Sequence, residues 1–146
     1  MDIKMLLDPD DPMRVALDKA GFRDDQDSDY IIRKRSEYSS YLAGKRLEQQ
    51  FFVSVKDIVF IESIGHDVII HTRDEEYCCA ERLKFLETVL DPDVFLRVSN
   101  SSIVNLKHIK RIESALLQKF VLHMTGNVKV DVTRSYYYIF RDRIGI

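Results

Sequence analysis

The stretch from Phe95 to Leu106, FLRVSNSSIVNL, passes from apolar to polar residues and back within one short segment. The apolar ends predict two strands, and the run Ser99–Ser102 predicts a tight turn between them. Asn and Ser side chains in such a turn either bond their own backbone or meet an external polar partner. Hydroxyls suit phosphate oxygens, Arg97 adds positive charge, and Asn100 has the paired donor and acceptor that can bind adenine. The residues alone leave an ordinary turn and a nucleic-acid contact both open.

The segments around this turn predict a mainly β fold with short helices. A hairpin is expected from Tyr38–Ala43 and Arg46–Val55, with its turn at Gly44-Lys45. The apolar run Ile58–Ile61 is typical of a strand that is covered on both faces. The other expected elements are a turn at Gly65-His66-Asp67, strands at Val68–Ile70 and Tyr77–Ala80, a helix at Leu83–Leu90, a hairpin from Lys119–Met124 and Val128–Val132, and a final helix at Tyr136–Arg143 with Ser135 as a candidate cap.

The N-terminal residues predict a separate strand–helix–strand segment. A strand is expected at Ile3–Leu7, and Asp11-Pro12 is a typical helix start, with Gly21 at the end of the helix. Asp24–Asp29 is expected to be a solvated loop, and Tyr30–Ile32 a second strand. So small a piece buries little apolar surface alone. The expected organisation is therefore an appendage over residues 1–36 and a main domain over residues 37–146.

Composition excludes several classes of protein. With 146 residues, 45% of them hydrophobic, the chain is long enough to bury a core but has no run of apolar residues that could span a membrane. The start is too short and too acidic for a signal peptide. The two cysteines, Cys78 and Cys79, are adjacent, so neither a disulfide scaffold nor a zinc site is expected. A reduced, cytoplasmic protein is the expectation.

No enzymatic signature is present. The chain has no Gly-rich phosphate loop, no GxSxG and no HExxH, and its four histidines are scattered rather than set at metal-ligand spacing. We therefore expect no enzyme activity, no cofactor and no bound metal. Charge is uneven, because residues 97–146 carry nine bases and three acids, whereas residues 51–96 carry four bases and ten acids. A basic third on an acidic remainder suits a protein that meets polyphosphate with one face.

The stretch Phe95–Asn105 resembles the signature of the LytTR DNA-binding domain, a family of bacterial transcription factors. Upstream, Asp57–Ser63 is similar to the "DIxYIE" strand of that family, and the spacing to the last hairpin and to Arg134 also fits. The resemblance covers roughly residues 37–146. It implies an elongated stack of small, mostly antiparallel sheets, and it implies that loops, not a recognition helix, enter successive major grooves of DNA.

The resemblance implies three principal contact residues, one in each of three loops: His66, Asn100 and Arg134. Arg97, Ser99 and Ser101 are expected phosphate contacts, and Lys107 and Lys129 are expected to add non-specific attraction. Each has a structural alternative: a turn position for His66, Asn100 and the serines, packing under the sheet for Arg97, a surface arginine without a role for Arg134, and solubility for the lysines. Asn105, inside an apolar run, is expected to bond backbone groups instead of DNA.

The expected function is thus sequence-specific binding of double-stranded promoter DNA, at paired direct repeats, by a transcriptional regulator. In the commonest family pattern a phosphorylated receiver domain precedes the DNA-binding domain, and residues 1–36 are too few for one. A homodimer and a small membrane protein that holds the regulator inactive are partners that the resemblance leaves open. The alternatives are a β-rich protein-interaction module without DNA binding, and a small-molecule sensor in the N-terminal segment.

Overall fold

The computed structural model describes residues 1–34 and 38–146, which form two compact units, Met1–Tyr38 and Ser39–Ile146. The expected boundary between residues 36 and 37 lies outside the described residues. The chain is mainly β, with antiparallel sheets in the second unit and short helices, as the sequence predicted.

The first unit is a small parallel sheet with one helix. Strand β1 (Asp2–Leu6) lies between β2 (Arg23–Asp24) and β3 (Ile31–Arg33). Helix α1 (Pro12–Lys19) connects β1 to β2. Asp11 caps it as predicted, because its side chain accepts a hydrogen bond from the Met13 amide at 2.9 Å. Bonds from Lys34 and from this amide lower the pKa of the Asp11 carboxyl below its usual value.

The prediction of a solvated loop beginning at Asp24 is wrong at its first residue. Asp24 pairs with β1, and its carboxylate accepts a bond from the Met5 amide at 2.9 Å and binds Arg14 at 3.0 Å. These contacts lower the pKa of the Asp24 carboxyl, the Met5 amide having the largest effect. The Asp24 carboxylate thus accepts the hydrogen bond of the Met5 amide, because β2 is only two residues long and offers that amide no backbone partner.

The second unit is built on a seven-stranded sheet in the order β5-β4-β8-β7-β6-β10-β9. All its pairings are antiparallel. Its strands are β4 (Tyr41–Arg46), β5 (Gln49–Ser54), β6 (Ile58–Ile64), β7 (Asp67–Thr72), β8 (Glu76–Cys79), β9 (Phe95–Ser99) and β10 (Ser102–Asn105).

A smaller antiparallel sheet and two helices complete this unit. The sheet has the order β11 (Ile109–Ala115), β12 (Lys119–Met124) and β13 (Val128–Val132). Helix α2 (Leu83–Val89) lies between β8 and β9 in the chain, and α3 (Tyr137–Ile144) follows β13 after a 3-10 turn over Arg134–Tyr136. Ser135 therefore lies within the 3-10 turn, and no side chain caps α3. No helix within the described ranges is long and apolar enough to cross a membrane.

The first hairpin turns later than the sequence predicted. The turn is at Leu47-Glu48, both with positive φ (51° and 63°), which is the conformation of a type I′ hairpin turn. Gly44 instead lies inside β4, where a Cβ atom would come within 2.7 Å of the Tyr77 Cβ. The glycine is needed for close packing and not for a turn.

Strand β6 divides the interior into two hydrophobic cores. Ile58 and Ile61 face a core that includes Leu86, whereas Val59 and Phe60 face a core that includes Phe140. Successive strand residues normally point to opposite faces, and the register irregularity between Ile58 and Phe60 lets the neighbours Val59 and Phe60 point to the same face. All four residues of Ile58–Ile61 are buried, so the prediction of a strand covered on both sides is confirmed.

Asn105 bonds backbone groups, as predicted, and lies only 1% exposed. Its amide donates to the Ile58 carbonyl at 2.9 Å, and its side-chain oxygen accepts from the Lys107 amide at 2.9 Å. We expect Asn105→Ala to lower the free energy of unfolding by about 2 kcal/mol, because a buried carbonyl and a partly buried amide lose their partner. Urea unfolding followed by circular dichroism measures the change. The exposed neighbour Lys107→Ala is the control, and an equal loss in both variants would contradict this role.

Candidate nucleic-acid interface

The turn singled out by sequence, Asn100-Ser101, lies at one end of the seven-stranded sheet. It joins β9 to β10, and β10 in turn pairs with β6 through Ser102 opposite Glu62. The Ser63 amide donates to the Ser101 carbonyl at 2.8 Å, which fixes the turn to β6. Asn100 and Ser101 are exposed, as a contact residue must be.

The turn between β6 and β7 lies at the same end of the sheet. Strand β6 runs past its pairing with Ser102 to Ile64, and Gly65 then turns the chain with a φ of 59°. His66 is exposed at the tip of this turn. The guanidinium of Arg82 donates to the His66 carbonyl at 2.6 Å, so a cation lies beside the turn.

The segment after β13 reaches the same end from the smaller sheet. The Thr133 amide donates to the Val98 carbonyl at 3.0 Å, which attaches this segment to the end of β9. Arg134 follows and is exposed. Across the part of the chain that the structure describes, its side chain makes no hydrogen bond and no ion pair. The Arg134 guanidinium is therefore available to an external acceptor.

An open groove of about 750 Å³ lies among these segments. We call it the loop groove; it is lined by Glu62, Ser99, Asn100, Ser101, Ser102, Lys129, Val130, Asp131, Thr133, Arg134 and Ser135. Five of the eight site residues expected from sequence line it. An open, polar groove suits a polymer with a charged backbone better than it suits an enclosed small molecule.

One of the two acidic residues of the loop groove is in an ion pair, and the other lies beside a histidine. The Asp131 carboxylate lies 2.9 Å from the Lys119 ammonium, and the Glu62 carboxylate lies 3.2 Å from His71 Nε2. Lys129 and Arg134 have no such partner within residues 1–34 and 38–146. Two cations without an ion-pair partner among the described residues and one carboxylate that Lys119 neutralises thus line the groove, which favours an anionic ligand.

Arg97 is largely buried and lies against the Asn100 turn. Its side chain is 19% exposed and binds the Glu87 carboxylate at 2.8 Å. The same guanidinium donates to the Ser99 carbonyl at 2.8 Å and to the Asn100 carbonyl. These three contacts connect Arg97 to the turn and hold the turn in place. Packing against the protein is the alternative to a phosphate contact that the sequence predicted for Arg97.

The serines and the asparagine of the turn have different surroundings. Ser99 is buried, and its hydroxyl accepts a bond from the Ser101 amide at 3.2 Å. Ser101 is exposed. The Asn100 side-chain oxygen accepts a bond from the Tyr136 hydroxyl at 3.3 Å, which leaves its amide hydrogens and a second lone pair for a ligand. Ser99 thus shapes the turn from inside, whereas Asn100 and Ser101 face outward.

The two predicted lysines lie in different places. Lys129 lies on β13 and lines the loop groove. Lys107 is exposed in the 3-10 turn over Leu106–His108, which follows β10 at the end opposite to the Asn100 turn. The structure therefore does not bring Lys107 together with the other site residues.

Sequence reasoning missed two residues of this region. Tyr136 orients Asn100 from a position 36 residues later in the chain, and Arg82 supports the His66 turn from 16 residues away. Neither partner has a local sequence signal, because an aromatic residue and a surface arginine each have many common structural roles. Only the sheet topology brings them to the loops.

Two titratable groups elsewhere in this unit are shifted by their neighbours. On the face of the smaller sheet, a bond from His123 lowers the pKa of the Glu113 carboxyl, with smaller contributions from Arg111 and Lys129. Burial raises the pKa of the Cys79 thiol. Among the described residues, no group of three or more His, Cys, Asp or Glu side chains is arranged to hold a metal ion.

Comparison with known proteins identifies relatives of the chain. The LytTr DNA-binding domain family model matches residues 48–145. The chain is 35% identical over 91 residues, 62% of its length, to the transcriptional regulatory protein LytR of Staphylococcus aureus strain N315, covering 37% of that protein. It is 33% identical over 89 residues, 61% of its length, to the sensory transduction protein LytT of Bacillus cereus, covering 36% of that protein.

A solved structure has the same fold. It is described as the LytTr DNA-binding domain of a putative methyl-accepting/DNA response regulator from Bacillus cereus; its TM-score is 0.72 at 26% identity, and the match covers 74% of this chain and 99% of that one. The chain spans about half the length, or less, of the regulators that it matches. These matches are to regulators and to a DNA-binding domain, in agreement with the prediction that the chain is not an enzyme. The family match extends over more than half of the chain, which therefore belongs to the LytTR DNA-binding domain family.

Proposed function

We propose that the chain is a transcriptional regulator that binds duplex DNA with the loop groove and the adjoining His66 turn. One observation carries the proposal: three turns that are far apart in sequence, at His66, Asn100 and Arg134, lie at one end of the main sheet. Exposed polar and cationic side chains on separate loops are the parts that base and phosphate recognition requires. Because DNA lies in the cytoplasm of bacteria, the proposal carries a cytoplasmic location with it.

The residues have distinct roles in this proposal. Asn100 and Arg134 contact bases in the major groove, since an amide and a free guanidinium both match base edges. Ser101, Lys129 and His66 contact the backbone or the groove edges. Arg97 and Ser99 are positioning residues, because their polar atoms are occupied by the turn itself. Lys107 has no direct contact, because it lies at the far end of β10.

Binding selection from a random duplex library tests the proposal. The full chain is expected to enrich a defined sequence, and its affinity for that duplex is expected to fall steeply with salt, because each neutralised phosphate releases counterions. Failure to retain any duplex at low salt would contradict DNA binding and would favour the protein-interaction alternative. Direct repeats are a further prediction of the family resemblance, and the selected sequences test it. A homodimer on DNA and a membrane-bound partner are left open by that resemblance.

The assignment of Arg97 as a positioning residue makes a separate prediction. We expect Arg97→Met to weaken DNA binding while leaving the salt dependence of log K equal to that of the wild type, because no phosphate contact is lost. Lys129→Met, in the groove, is expected to reduce the slope by about 0.9, the value for one phosphate. Fluorescence anisotropy over a salt series measures both slopes. A reduced slope for Arg97→Met would make Arg97 a phosphate contact instead.

A further inference from the structure

Within the described residues of the second unit, strand β5 is an edge of the seven-stranded sheet with no further strand beyond it. Its sequence, QQFFVS, has no charged residue. The other edge strands of the second unit are different: β9 contains Arg97, and β11 and β13 contain lysine together with acidic residues. The edge of β9 is also partly covered, since its Val98 carbonyl accepts from Thr133. Proteins normally protect sheet edges with charges, because an open edge pairs with further strands.

An exposed aromatic residue lies in the middle of this edge. Phe52 is 85% exposed, although phenylalanine is normally among the most buried residues. Across the strand pair it faces Ala43, which is also exposed, and Tyr41 on the same face of β4 is 59% exposed. The outer face of the β4–β5 hairpin therefore carries an exposed apolar patch of Tyr41, Ala43 and Phe52 beside the polar residues Lys45, Gln50 and Ser54, next to free backbone groups.

The hydrogen-bond pattern shows which backbone groups of β5 are free. Arg46 and Gln49 close the turn of two residues and so bond each other, and the Val55 amide donates to the Ser40 carbonyl at 3.0 Å. Odd-numbered residues of β5 thus bond β4. The amide and carbonyl groups of Gln50, Phe52 and Ser54 point away from the sheet and are available to another strand.

We propose that β5 pairs with β5 of a second copy of this chain, antiparallel and around a two-fold axis at Phe52. In this register Phe52 lies opposite Phe52 of the second copy, and Gln50 lies opposite Ser54 of the second copy. The free amide and carbonyl groups of one strand therefore face those of the other and can bond them. Beyond the strand ends, Glu48 meets Lys56 of the second copy, and this pair occurs twice. The Glu48 carboxylate is 91% exposed and lies 3.5 Å from the Lys45 ammonium of its own chain, so Lys56 adds a second cation beside it. The two nearest registers that also align the free backbone groups place Phe52 opposite Gln50 or Ser54 of the second copy. Both of these registers separate Glu48 from Lys56.

Self-complementarity is what selects a second copy as the occupant. The edge offers an aromatic residue that pairs with itself, a row of backbone groups in phase with itself, and opposite charges at its two ends. One strand pair buries less surface than a stable interface of about 800 Å² per partner, so the association is weak and depends on concentration. The two-fold symmetry suits inverted half-sites on DNA, whereas the direct repeats implied by the family resemblance need a different contact.

Sedimentation velocity of the full chain tests the proposal without DNA. From low micromolar to near-millimolar concentration we expect a reversible monomer–dimer equilibrium. Phe52→Lys is expected to weaken the dimer at least about ten-fold, because it places two like charges opposite each other at the edge. The matched control is Leu116→Lys, since Leu116 is 89% exposed on the hairpin of the smaller sheet. A wild-type chain that stays monomeric, or equal effects of both variants, would overturn the proposal.

A charge exchange tests the register and does not depend on Phe52. Glu48→Lys and Lys56→Glu are each expected to weaken the dimer, and the double variant is expected to restore it, because the two end pairs form again with reversed signs. Circular dichroism of each variant establishes that the fold is intact. A double variant that dimerises no more tightly than the single variants would exclude this register. All variants are expected to retain duplex DNA, and this result separates failure of the dimer proposal from failure of the proposed function.

Discussion

Replacing Arg134 with alanine is expected to weaken binding to the selected duplex by about 1–3 kcal/mol, roughly 5- to 150-fold in affinity. The side chain is exposed and has no hydrogen bond or ion pair within the described ranges, so its loss removes an external contact and leaves the fold intact. Competition against single-base variants of the duplex measures the second consequence, a relaxed preference at one base position.

The control for Arg134→Ala is Lys107→Ala. Both are exposed cations of the same unit, but Lys107 lies at the opposite end of β10. We expect Lys107→Ala to change the affinity by no more than about two-fold, since general attraction is all that it supplies there. Equal losses in the two variants would mean that binding depends on overall charge and not on the loop groove.

Replacing Phe140 with alanine is expected to lower the free energy of unfolding by about 3–5 kcal/mol, the usual cost of removing a buried phenylalanine. Phe140 is fully buried in the second core, with its ring centroid 5.4 Å from that of Phe120. Ile139 is its neighbour on α3 and is 56% exposed, so Ile139→Ala is expected to cost less than about 0.5 kcal/mol. Chemical denaturation of both variants measures the difference, and similar values would show that α3 is not anchored through this residue.

The two predictions are connected through the chain. The 3-10 turn that carries Arg134 leads directly into α3, and Phe140 fixes α3 to the core that also contains Val132 and Val98. We therefore expect Phe140→Ala to reduce DNA affinity as well as stability. The position of Arg134 depends on packing beneath it, as the position of Asn100 depends on Arg97.

Sequence reasoning succeeded where one physical effect dominates a segment. The uninterrupted apolar run Ile58–Ile61 is typical of a strand buried on both faces, and the strict alternation in Val128–Val132 is typical of a half-buried strand. Asn105 was identified as structural because an amide inside an apolar run needs buried partners. In each case the neighbouring residues alone determine the answer.

The sequence-based predictions were wrong or left open at positions whose conformation or contacts depend on residues that are distant in the chain. Gly44 was expected in a turn, but the packing of Tyr77 requires a glycine within the strand. Leu47 and Glu48 form the turn although neither residue favours positive φ. The positive charge of Arg97 is evident from the sequence, but its partner is not. The guanidinium binds the carboxylate of Glu87, ten residues earlier, and this contact holds it against the turn. Such choices are made by tertiary contacts and leave no local pattern.

Backbone amide chemical shifts, measured as the selected duplex is added, show which residues meet DNA. We expect the largest changes at His66, at Asn100 and Ser101, and at Arg134, while residues at the opposite end of β10, Lys107 and His108, stay unchanged. Saturable changes centred on Lys107 and His108, with the three loops unaffected, would contradict this expectation.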